Sequence, residues 1–150
     1  MHAETTWDDS QFEEMSWHDN HVHGLRIRKG EYGCGELELD LDYILEWLRP
    51  TETTFAFRLA PATLTFLDVF GLRIEIDYAA PGAGMTPFSI SEITRERSPD
   101  GGMPQWKIEL NWPQGAISFS AAGFKQTLRA APIVSGCQSL GHQERASLGA

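Results

Sequence analysis

Cysteine is scarce, cations are outnumbered and no apolar stretch is long. The two cysteines, Cys34 in "YGCGE" and Cys137 in "VSGCQS", are too few for a disulfide framework or a four-cysteine zinc site, and the expectation is free thiols in a reducing compartment. Twelve lysines and arginines stand against 21 aspartates and glutamates, a formal net charge of −9. That balance repels phosphate backbones and anionic lipid, which sets aside nucleic acid and membrane surfaces as partners. No apolar run approaches the ~20 residues that cross a bilayer as a helix. The opening "MHAETTWDDSQFEEM" has neither the basic nor the apolar region of a secretory signal, so a cytoplasmic location is expected. A phosphate loop, a nucleophile elbow and a fixed-period repeat are also missing, and no cofactor is expected on those grounds.

What is present is alternation. In "LRIRKGEYGCGELELDLDY", Leu25 and Ile27, then Leu37, Leu39 and Leu41, recur at a spacing of two with charged residues between them, the pattern of a β-hairpin with one buried face. The simplest register sets Ile27 opposite Leu37, Leu25 opposite Leu39, Arg28 against Glu36 and Arg26 against Glu38, with His21 opposite Tyr43 and His23 opposite Leu41. "YILEWLRP" reads either as more strand or as a short helical turn, ended by Pro50. "TFAFRLA", "ATLTFLDV" and "LRIEIDYA" are predicted as three strands broken at Ala60-Pro61 and Phe70-Gly71. "WKIELNW" and "AISFSAAGF" form a second hairpin around Pro113-Gln114-Gly115. The expected fold is all-β and mainly antiparallel, a sandwich or open barrel of about eight or nine strands with little helix. A chain of 150 residues supports one core, hence one domain over 1–150, with about 1–14 and 135–150 frayed or peripheral.

"MSWHDNHVHGL" carries the one concentrated set of metal-ligand types. On a strand Asp19, His21 and His23 would share a face, the geometry that lets an Asp-x-His-x-His string converge on one metal. "DNHVHG" resembles the first-strand motif of amidohydrolase-type and polymerase-and-histidinol-phosphatase-type metallohydrolases. That resemblance implies that His21 and His23 bind a divalent transition metal. Those folds need roughly 200 or more residues of alternating strands and helices and further histidines, whereas here the only later histidine is His142. "HVH" also resembles the paired histidines of cupins, without their following glutamate or second-motif histidine. The alternative is that His21 and His23 sit at the edge of the core, hydrogen-bonded to groups such as Tyr43 or Asp19.

"GELELDLDY" places Glu36, Glu38, Asp40 and Asp42 on the opposite face from the leucines. Arg28 and Arg26 neutralise the first two, and Asp40 and Asp42 have no partner in the expected register. This stripe is the predicted contact surface for a basic protein partner, and pairing into a homo-oligomer through an exposed strand edge is a further expectation. With its "WHD…HG" opening and "APATLTF" centre, the chain resembles a group of small uncharacterised β-rich bacterial proteins, which implies a β fold and a bacterial origin. In size, charge and strand pattern it is similar to small acidic immunity proteins that neutralise bacterial toxins, which implies a non-enzymatic protein-binding role.

Overall fold

Alternation decides the architecture. In the computed structural model, which describes residues 5–149, the expected hairpin forms from β2 (His21–Lys29) and β3 (Gly35–Leu48). Ile27 pairs with Leu37, Leu25 with Leu39, Arg26 with Glu38 and Arg28 with Glu36, as the pattern requires. The segment "YILEWL" continues β3 as strand.

Before the hairpin lie β1 (Thr6–Asp8) and a 3-10 turn over Asp9–Glu14. After it come β4 (Ala56–Ile76), β5 (Phe88–Glu96), β6 (Gln105–Trp112), β7 (Gly115–Ser120), β8 (Gly123–Leu128), β9 (Ile133–Ser135) and the short helix α1 (His142–Ser147). The described residues thus form one nine-stranded, antiparallel sheet. Its order runs β1-β8-β4-β3-β2-β5-β6-β7, and β7 returns to pair with β4, so the sheet curls into an open barrel. The hairpin of β6 and β7 forms as expected around Pro113-Gln114-Gly115.

β4 corrects the expectation of three separate strands. It runs unbroken for 21 residues, paired on one edge with β3 and on the other with β9, β8 and β7 in succession. Pro61 is tolerated because it falls where that second edge changes partner, between Leu59 opposite Ile133 and Ala62 opposite Leu128. Its carbonyl accepts from the Arg129 amide there, and its missing N–H would have pointed to the same side. Near Gly71, at φ 65°, a bulge between Phe70 and Arg73 swings the strand onto β7 instead of ending it.

The barrel interior holds Leu37, Leu39 and Leu41 of β3, Leu64 and Phe66 of β4, Trp106 and Ile108 of β6, Ile117 and Phe119 of β7, and Phe124 of β8. Burying each such side chain contributes roughly 1.5–3 kcal/mol. Trp106 is fully buried, whereas Trp112 at the strand end is 42% exposed. Buried indole N–H groups find acceptors: Trp17 donates to Gln126 Oε1 at 2.7 Å and Trp106 to the Ala121 carbonyl at 3.1 Å.

The chain ends, expected to be frayed or peripheral, pack against the sheet where they are described. Trp7 is buried against Tyr43, and Phe12 of the 3-10 turn packs on Trp17, Trp106 and Phe124. At the other end Leu140, with Ile133 and Leu148, builds a second small core on Ile44, Phe57 and Leu59. Residues 1–4 and 150 of those end segments lie outside the described residues. Both cysteines are free, as expected.

Candidate functional site

One extra residue in β2 creates the site. Val22 pairs with Leu41 and Gly24 with Asp40, so two steps along β2 match one along β3, and His23 is the bulged residue between them. The bulge corrects the uniform register: His21 stands opposite Asp42 instead of Tyr43, Val22 takes the inward position at 2% exposure, and His23 reaches Asp42.

Asp42 is fully buried and saturated. Its Oδ2 accepts from His23 Nε2 at 2.6 Å, from the Leu140 amide at 2.8 Å and from Ser139 Oγ at 3.4 Å. Its Oδ1 is bound by Arg145 Nη1, and the neighbouring Asp40 Oδ1 is bound by both Arg145 and Arg129. Burial pushes the Asp42 carboxyl up, but the His23 hydrogen bond, the Leu140 amide and the charges of His23 and Arg145 outweigh it and hold the group below the ordinary carboxylate value.

This arrangement corrects the acidic stripe. Asp42 cannot meet a partner, Asp40 is shared by two arginines, and Glu38 lies between Arg26 and Arg28. Arg129 and Arg145 were missed as the counter-ions because they lie 89 and 103 residues along the chain from the aspartates they bind, where no local pattern relates them. The signal that could have found Arg145 is its place in "LGHQERASL", with Leu140 and Leu148 on either side of it.

The three candidate metal ligands are not brought together. Asp19 sits in a turn at φ 63°, before β2 begins, and its carboxylate accepts from Asn111 Nδ2 at 2.7 Å and Gln138 Nε2 at 3.0 Å. His23 is bound to Asp42. Among the described residues, no group of three or more His, Cys, Asp or Glu side chains is placed to hold a metal ion.

Nor is His23 the centre of a nucleophile relay. The same nitrogen, Nε2, faces both Asp42 at 2.6 Å and Ser139 Oγ at 3.5 Å, whereas a relay needs the acid and the nucleophile on opposite ring nitrogens.

His21 is half-buried, and its Nδ1 has no hydrogen-bond partner among the described residues. Burial lowers its pKa below the ordinary 6.5 and the His23 charge adds to that, against the backbone bond at Asp19 and the charges of Asp42 and Asp19. The unfolded chain therefore takes up a proton at a pH where folded His21 does not. This contribution to stability is present above about pH 6.5 and is lost as pH falls toward the lower folded value. Urea unfolding of wild type should show falling stability from pH 7 to pH 5, and His21→Leu should flatten that slope. An unchanged slope would place the acid sensitivity elsewhere.

A second place of interest is the barrel mouth at the β2–β3 loop. β2 pairs with β5 only at His21 and Val22, so from Gly24 to Lys29 it has, among the described residues, a ladder partner on one side only. β4 likewise leaves β3 after Val69. Between them Ile27, Val69, Phe70 and Leu72 line a cavity of about 330 Å³. Ile27 is 63% exposed, Phe70 44% and Tyr32, at the loop tip, 99%. Tyr32 and Asp68 both hold positive φ, at 57° and 54°, a conformation that costs a non-glycine residue on the order of 1–3 kcal/mol and clusters at functional places. Glu31, Glu36 and Asp68 line the adjoining cavity with Arg28 and Lys29.

Comparison of the chain with protein-family models, with curated proteins and with solved structures finds no match.

Proposed function

We propose that the protein is a non-enzymatic protein-binding module whose contact surface is the barrel mouth and whose partner is a basic protein. The observation that carries this reading is the pair Ile27 and Phe70, exposed round one cavity between two strand edges that lack a second ladder partner among the described residues, beside Glu31, Glu36 and Asp68 and below the fully exposed Tyr32 of the β2–β3 loop. Exposed apolar residues grouped within a polar rim favour recognition over solvation, and tyrosine is a frequent anchor of protein interfaces. Of the stripe Glu36, Glu38, Asp40 and Asp42, Glu36 belongs to this surface. The net charge of −9 would steer a basic partner and make association salt-sensitive. The immunity-type resemblance in size and charge fits a partner of that kind.

The test is affinity capture from cells that make the protein, followed by reconstitution with the purified partner. Wild type should retain a basic protein, and Tyr32→Ala should raise Kd about thirtyfold, equivalent to ~2 kcal/mol. Phe70→Ser should weaken binding in the same direction, with thermal unfolding checked alongside. A reconstituted complex indifferent to both variants would reject the mouth as the contact surface.

A further inference from the structure

The cavity beside the His23–Asp42 pair has a lining unlike the rest of this acidic chain. It measures about 570 Å³ and is faced by His23, Ser139, His142 and Arg145, with no carboxylate among the described residues that line it. The nearest acids are engaged elsewhere. Asp42 lies wholly buried with both oxygens bonded, Asp40 is bound by Arg129 and Arg145, and Glu144 Oε1 accepts the Gly141 amide at 3.0 Å. A guanidinium has five N–H donors, and Arg145 uses one through Nη1 and one through Nη2 on the two aspartates. Its side chain is only 8% exposed, so it is fixed in place before any ligand arrives.

We propose that this cavity binds a small oxyanion, a carboxylate or phosphate group, held by the remaining donors of Arg145 with His142, and with His23 and Ser139 forming the wall. Arginine held in a fixed plane is matched to such groups by geometry as well as charge. The volume leaves room for a ligand larger than the bare anion.

NMR titration with inorganic phosphate and, separately, acetate tests this, with sodium chloride at matched ionic strength as the control. Saturable shifts at the amides of residues 139–142 and at the His23 and His142 rings are expected with one or both oxyanions and not with chloride. The anion that gives the tighter curve fixes the ligand class. His142 is exposed, so His142→Ala should leave the fold intact and weaken binding at least threefold. Ala146→Glu, which puts a carboxylate at the cavity wall, should abolish binding. The proposal is overturned if neither anion saturates, if chloride gives the same shifts, or if both variants bind as wild type does.

Discussion

Asp42→Ala is expected to destabilise the fold by about 3–5 kcal/mol, the range for removing one partner of a buried ion pair. The loss exceeds that of a salt bridge because the His23 imidazole and the Leu140 amide lose their buried acceptor together, while Arg145 keeps only Asp40. Asp40→Asn is the internal comparison. Asp40 shares Arg145, but its side chain is 38% exposed, and water can replace what it loses, so its cost should stay within about 1 kcal/mol. Urea unfolding of the two variants separates them; equal costs would mean that the network is not desolvated. Because the folded Asp42 carboxyl lies below its ordinary value, its contribution is present above the unfolded pKa of about 3.9 and is lost as pH falls through the folded one. That places it at lower pH than the His21 effect.

Phe66→Ala should cost a similar amount, about 3–5 kcal/mol, by a different mechanism. Phe66 is fully buried, with edge-to-face contacts to Trp106 at 5.3 Å, Phe119 at 4.7 Å and Phe124 at 5.8 Å between ring centroids. Removing the ring opens a cavity among side chains from β6, β7 and β8 together, and backbones fixed by ladders on both sides relax little into it. At this chain length the expected drop in Tm is roughly 6–20 °C. Val134→Ser, at a site 62% exposed, should change stability by no more than about 0.5 kcal/mol. A Phe66 variant close to wild type would show that the neighbouring rings repack.

Local pattern carries the sheet. Leu25 and Ile27 against Leu37 and Leu39, with Arg26 and Arg28 against Glu38 and Glu36, admit one register, since a slip by one residue would expose every leucine. The bulge at His23 leaves no such trace. It is favoured by contacts made over 98 to 119 residues of sequence: Asp42 to Leu140 and Arg145, and Asp19 to Gln138. Uniform alternation therefore placed His21 and His23 together on the inner face and left Asp40 and Asp42 without counter-ions. The residues of interest were visible as types, but their grouping was not. Likewise Leu140, Ile133 and Leu148 have no helical or strand spacing, because they pack onto the outside of an existing sheet and need only reach it.

The long strand β4 bears on how the chain can be made. Its first edge is covered by β3, which precedes it, and its second by β7, β8 and β9, all of which follow. During synthesis the hairpin and β4 can leave the ribosome well before the strands that complete the barrel, and β4 then offers a bare edge to other nascent chains. Arg58, Pro61 and Asp68 lie along that strand at intervals. A proline and charges so placed are the ordinary protection of an edge against pairing with the wrong strand. Pro61, which reads in the sequence as a break, is in this light a residue type that disfavours wrong pairing of the bare edge before the barrel closes.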